Sequence, residues 1–296
     1  MRWRDLKRGQ SQDVQVEDRR GQGGGIPGGL KVGGGGGLLL ILALLILPQL
    51  LGGKGGLGGG IGDILEKLNP GAQAQAPAPT RDASQPDPQA ELVDFTTAVM
   101  NDVSQLWEEI FTASQKTYQH PTYQIFTQGT QGACGYAPSQ VGPHYCPLDK
   151  TVYVDLDFLL ALQNKLGAQG DFAQAYVLAH EVGHHVQNEL GIADQVRAEQ
   201  QNNPGNAKQS SIKMELQADC FAGVWGRKVY QEGILEAGDV EEGIGAALAV
   251  GDDRIQQQTT GQVRPEEWTH GSAAERSKWF QTGFNSGDPN QCNTFA

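Results

Sequence analysis

The sequence predicts an α+β fold, helix-rich with a small and mainly antiparallel sheet. Three observations carry this. Between Leu92 and Phe284 most apolar residues recur three and four apart, only two short runs alternate as strands do, and from Glu91 onward the composition is that of a globular chain. The 206 residues of 91–296 suffice for one domain with a substantial core, and no internal repeat is visible.

Taken in order, Leu92–Tyr118 places Val99, Val103, Leu106, Trp107 and Ile110 at helical spacing. Tyr123–Thr127 and Thr151–Leu156 alternate as strands. Phe172–Leu190 reads as a helix that Gly191 closes, and an Asn- and Gln-rich connector follows it to Ser210. A helix from about Ser211 to Gln231 comes next, then shorter helices near Asp239–Gln258 and Ala273–Phe284.

The N-terminal third differs. Residues 1–31 hold seven Lys/Arg against four acids, whereas the whole chain carries a formal net charge of −12, and 20 of its 41 glycines fall within the first 62 residues. Such a segment reads as a basic, disordered head. No charge occurs in residues 32–53, which contain the apolar run Leu38–Leu47. Twenty-two helical residues span about 33 Å, close to the hydrocarbon core of a bilayer. Residues 32–53 therefore read as a single transmembrane anchor, with a cleaved signal peptide as the rival reading. The basic head then lies in the cytoplasm and the body outside it. Residues 54–90, Gly-rich and then Ala/Gln/Pro-rich, read as a linker. The acidic body excludes a nucleic-acid binder, whose footprint would be basic.

The chemistry concentrates in His180-Glu181-Val182-Gly183-His184. Histidines four apart on a helix share one face, so their imidazoles can meet a single metal ion at about 2.0–2.1 Å, while Glu181 can reach a water on that ion. A catalytic zinc needs a third protein ligand and an open position. Glu215 and Asp219 lie i and i+4 on the next long helix, whose remainder (Ile212, Leu216, Phe221, Val224, Trp225) is apolar and buries it. Buried carboxylates need a partner or a metal. Glu215 as ligand, with Asp219 orienting a ligand histidine, uses both. The alternatives are Asp219 as the ligand, or an exposed acidic edge paired with Lys213 or Arg227. His185, about 100° further round the helix, reads as polar packing. His270 is the candidate donor to a developing oxyanion, with Arg276 as a second possibility that a salt bridge would instead absorb. Thr151–Leu156 is the candidate edge strand for an extended substrate.

Cys134 with Cys146, and Cys220 with Cys292, is the preferred of three possible pairings. A second zinc site from Cys134, His144 and Cys146 is the alternative, and Cys220 as a buried free thiol is another.

His-Glu-x-x-His followed by Glu-x-x-Ala-Asp on a second helix resembles the gluzincin zinc peptidases. Over nearly its full length the chain is similar to the bacterial neutral zinc metallopeptidases, a family of single-anchor membrane proteins. The matching pieces are the Met1-Arg-Trp start, the Gly-rich anchor, Ala133-Cys-Gly-Tyr-Ala, Gly142-Pro-His-Tyr-Cys-Pro, Val152-Tyr-Val-Asp-Leu-Asp-Phe and Thr269-His-Gly-Ser-Ala-Ala-Glu-Arg. The resemblance implies a zincin-like domain with one zinc ion (Zn2+) per chain, held by His180, His184 and Glu215, with Glu181 as general base. It also implies a protein or peptide substrate. The expected protein is thus a zinc endopeptidase of the bacterial inner (cytoplasmic) membrane, bound to the bilayer through residues 32–53, with its catalytic domain periplasmic or extracellular. The alternative functions are a zinc-stabilised binding or scaffold protein of the cell envelope, and a latent peptidase.

Overall fold

The computed structural model describes residues 1–6, 14–21, 86–138, 141–165 and 170–296. The anchor at 32–53, most of the 54–90 linker and much of the head lie outside these. Among the described residues no helix is long and apolar enough to cross a membrane.

Strand β1 (Gln15–Asp18) precedes helix α1 (Ala90–Ala113). Then come β2 (Thr122–Phe126), the hairpin β3 (Gly129–Gly132) and β4 (Gly135–Pro138), β5 (His144–Cys146) and β6 (Thr151–Asp155). Seven helices complete the chain: α2 (Leu156–Lys165), α3 (Asp171–Glu189), α4 (Ile192–Asn202), α5 (Ala207–Gln231), α6 (Asp239–Ala249), α7 (Asp252–Thr259) and α8 (Ala273–Ser286).

The class is α+β, as the periodicity indicates, but the main sheet is not mainly antiparallel. Its order is β1-β2-β6-β5, and only β5 runs antiparallel to its neighbour; β3 and β4 form a separate antiparallel pair. The loop that carries β3, β4 and β5 returns the chain alongside β2 in the same direction, so β2 and β6 pair in parallel. All five β6 residues are buried, as expected of a strand with neighbours on both sides and helices above. Thr151–Leu156 is therefore an interior strand, and the free edge beside it is β5.

The basic head is not a separate, disordered element where it is described. Gln15 to Asp18 pair in parallel register with Thr122 to Ile125, while Met1, Leu6 and Val14 are buried in the main core. Val14, Val16 and their acidic neighbours carry too weak a pattern to announce a strand. The Asn/Gln-rich connector is likewise helical: Ala193, Val196 and Met214 form their own small apolar cluster under it.

Helix α3 runs through the centre of the core and is buried on nearly every side. Alanine and glycine let it sit that close to its neighbours. A Cβ on Gly183 would approach the Ala218 backbone of α5 at 3.1 Å, so the Gly of the first motif and the Ala of the second mark where the two ligand-bearing helices cross. Trp107 and Trp225 are fully buried, and Trp225 donates its indole N–H to Asp102 at 2.8 Å. Helix α8 crosses α5 more closely still at Gly283, where a Cβ would clash with the Cys220 carbonyl. Disulfides join Cys134 to Cys146 and Cys220 to Cys292, the preferred pairing, so neither the second zinc site nor a free Cys220 survives.

Candidate metal centre

Three ligand atoms converge where α3 crosses α5. His180 and His184 project from one face of α3, and Glu215 faces them from α5. His180 Nε2 lies 3.3 Å from Glu215 Oε2, and His184 Nε2 lies 3.5 Å from Glu215 Oε1. All three donor atoms fall within 4.8 Å of one another. A tetrahedral ion with ligands at about 2.0–2.1 Å separates them by about 3.3 Å, which both His–Glu separations match.

Each histidine is fixed by its other nitrogen. His180 donates Nδ1–H to Asp219 Oδ1 at 2.8 Å, and His184 donates Nδ1–H to Gln187 Oε1 at 2.9 Å. Both Nε2 atoms are left with lone pairs toward Glu215, the tautomer that metal ligation requires. Gln187 is held in turn, its amide donating to the Met214 carbonyl at 2.8 Å and to Gln217 at 3.1 Å.

Asp219 is the hub of the buried charges. Arg276 grips it from α8, Nε to Oδ2 at 2.8 Å and Nη2 to Oδ1 at 2.9 Å, and Tyr176 donates its hydroxyl to Oδ1 at 2.5 Å. Burial alone would raise the Asp219 carboxyl, but the Arg276 and His180 charges outweigh it and hold it below its ordinary range. Glu215 is likewise held well below its ordinary range, its burial overcome by the charges of His184 and His270. Without an ion, burial disfavours the charged His180 ring, yet Asp219 and Glu215 raise it to about 9, so proton and metal compete for Nε2.

Glu181, next to His180, is 8 % exposed, and burial pushes its carboxyl up. His270 lies across the same cavity. Its Nδ1 is bonded to Asp252 Oδ1 at 3.1 Å, and Asp252 Oδ2 accepts the backbone N–H groups of Thr269, His270 and Gly271. The loop that carries His270 is thereby clamped to the start of α7. His180, Glu181, His184, Glu215, His270 and Arg276 all line one cavity of about 220 Å³, whose lining also includes the apolar Val141, Phe158, Leu162 and Val177.

The profile of the family described as "Putative neutral zinc metallopeptidase" matches residues 1–295. The chain belongs to this family. It is 44 % identical to the uncharacterized protein YpfJ of Escherichia coli K12 over all of this chain and 99 % of that one. It is 46 % identical to the uncharacterized protein Rv2575 of Mycobacterium tuberculosis over 67 % of this chain and 69 % of the relative. No solved structure matches it.

In this metallopeptidase-family chain, His180, Glu181, His184, Glu215, His270 and Arg276, among the residues singled out from the sequence, share one cavity. Asp219 sits behind His180 rather than among the ligand atoms, and the exposed acidic edge is excluded because Glu215 and Asp219 are 6 % and 0 % exposed. Arg276 is absorbed by its ion pair with Asp219. His185 is buried polar packing: Nε2–H donates to the Gln119 carbonyl at 2.6 Å, so Nδ1 accepts from the Tyr145 hydroxyl. Gln187, Gln217, Tyr176 and Asp252 escaped the sequence reading. Only Tyr176 and Gln187 left a trace, each one helical turn from a ligand histidine.

Proposed function

We propose that the protein is a zinc-dependent endopeptidase with Glu181 as general base. The observation that carries this is the open side of the metal centre. Among the described residues three protein ligands surround the point, no fourth His, Cys, Asp or Glu joins them, and all three line the cavity. A structural zinc site is closed by four protein ligands, whereas a catalytic one keeps a position free. This favours the enzyme over the scaffold reading.

When bound, zinc supplies Lewis acidity that acidifies a water and polarises a carbonyl. Glu181, beside the ligand and raised by burial, takes the proton from the attacking water and returns it to the leaving amine. His270 donates Nδ1–H to Asp252. Burial disfavours a charge on its ring, but the charges of Glu215 and Asp252 overcome burial and raise its pKa, so the protonated ring presents Nε2–H to the charge developing on the carbonyl oxygen. Edge strand β5 borders the cavity and offers an extended peptide a partner for backbone pairing. The apolar part of the lining suits an apolar substrate side chain. Two disulfides suit a body working in an oxidising compartment, outside the cytoplasm.

The test is Glu181→Gln, assayed for zinc content and for cleavage of a denatured protein mixture read by mass spectrometry of new termini. Zinc retained with cleavage abolished supports the proposal. Cleavage equal to the wild type ends it.

A further inference from the structure

Among the described residues two arginines line the cavity of the metal centre, Arg276 and Arg197, and they differ in what already holds them. Arg276 is committed inside the protein. Its Nε and Nη2 donate to the Asp219 carboxylate, and its Nη1 donates to the Val250 carbonyl at 3.1 Å. Arg197 has one partner among the described residues, Asp194, which accepts from Nη1 at 2.8 Å. Asp194 lies one turn away on the same helix with its side chain 74 % exposed, so the pair is a solvent-screened contact that yields easily. The Nε–Nη2 edge of Arg197 has no acceptor among the described residues. That is the same edge by which Arg276 grips Asp219.

The fold fixes the helix that carries this group. Helix α4 turns back from α3 at Gly191, which takes the left-handed conformation at φ 74°. Ala193 and Val196 then pack on Met214 of α5, and Gln200 donates its amide to the Ala207 carbonyl at 3.0 Å and to the Ser211 hydroxyl at 3.1 Å. Arg197 stands one turn on from Ala193, on the same face, and both line the cavity together with Met214. Met214 directly precedes Glu215, so this side of the cavity adjoins the metal centre.

A planar fork with an open edge matches a carboxylate, which accepts two parallel hydrogen bonds, better than it matches a lone carbonyl. We propose that Arg197 is a specificity-determining residue whose Nε–Nη2 edge binds a carboxylate of the peptide substrate. The carboxylate belongs to an Asp or Glu side chain or to the C-terminus of the peptide. The chain carries a formal net charge of −12, so its general field opposes an acidic peptide and the preference rests on Arg197. This role depends on the peptidase reading of the cavity and adds a charge preference to it.

The experiment compares the zinc-loaded full chain with its Arg197→Ala and Arg197→Lys variants on two sets of peptides. In the first set, peptides capped at both ends carry a single Glu or Gln at each position in turn. In the second, Gln peptides end in a free or an amidated C-terminus. Cleavage is read as kcat/KM, and affinity is read by calorimetry after the same substitutions are combined with Glu181→Gln. The wild type is expected to favour Glu over Gln, or the free over the amidated end, by about tenfold. Arg197→Ala should bring that ratio to about one or below, and Arg197→Lys should keep part of it, since a point charge replaces the fork. Each ratio is taken within one preparation, so partial unfolding of a variant cancels. Preference in capped peptides assigns the carboxylate to a side chain, and preference for a free end alone assigns it to the C-terminus. Ratios near one in the wild type, or a preference that survives in Arg197→Ala, overturn the proposal. Carboxylate-selective binding without any cleavage supports Arg197 and overturns the peptidase reading, and cleavage without selectivity does the reverse. Peptides that are neither bound nor cleaved overturn both.

Discussion

Gly183 and Ala218 face each other where the two ligand-bearing helices cross, and a Cβ on Gly183 would stand 3.1 Å from the Ala218 backbone, tighter than an ordinary contact. The separation of His180 and His184 from Glu215 depends on this approach, because the three side chains reach across the gap that the two small residues set. Gly183→Ala requires the Ala218 backbone to give by a few tenths of an ångström. It is expected to destabilise the fold by about 1–3 kcal/mol and to weaken zinc binding by spreading the ligand set, both read from urea unfolding and zinc titration on the same sample.

Asp219 supports the centre from behind. Asp219→Asn leaves the Arg276 guanidinium buried beside a neutral amide and turns one acceptor oxygen into a donor, so that a single Oδ1 must serve His180, Tyr176 and Arg276. Stability is expected to fall by about 3–5 kcal/mol, and zinc affinity in the folded fraction by about 10–100-fold. An Asp219→Asn protein with wild-type affinity would show that His180 orients without it.

Asp252 gives the site a pH-dependent clamp. Burial tends to raise its carboxyl, but the hydrogen bond and charge of His270 and the N–H groups of the loop outweigh burial and hold it below its ordinary range. A depressed carboxyl contributes stability that is fully present above the unfolded value of about 3.9 and is lost as pH falls through the lower folded value. Asp252→Asn is therefore expected to cost about 1–3 kcal/mol at pH 7 and progressively less below pH 4, measured by urea unfolding across that range.

The same variant should lower kcat more than KM, because it loosens His270 without touching the cavity's apolar wall. Removing the donor outright with His270→Ala is expected to lower kcat by about 10²–10³. Unchanged kcat in His270→Ala would assign the ring to loop packing.

The metal centre was legible in the sequence because its residues follow helical spacing: i and i+4 histidines, and an i and i+4 carboxylate pair on an otherwise apolar helix. The cysteine pairing followed from which segments flank each cysteine. What escaped was set by long-range packing. The Asp252 clamp joins residues 17 to 19 apart through backbone N–H groups that carry no side-chain signature. The parallel pairing of β1 with β2 joins residues more than a hundred apart, and a strand with three exposed residues and one half-buried leaves no alternation to read. Helix α4 was hidden because its buried side, Ala193 and Val196, is too small to stand out among Asn and Gln.

The most direct test of the central claim is the zinc content of the purified full chain after dialysis, wild type beside Glu215→Ala, by elemental mass spectrometry. The account predicts about one zinc per wild-type chain and little in the variant, since two histidines alone make a weak site. A folded wild-type protein without zinc, or a variant that keeps it, would contradict the assignment of His180, His184 and Glu215 as the metal ligands.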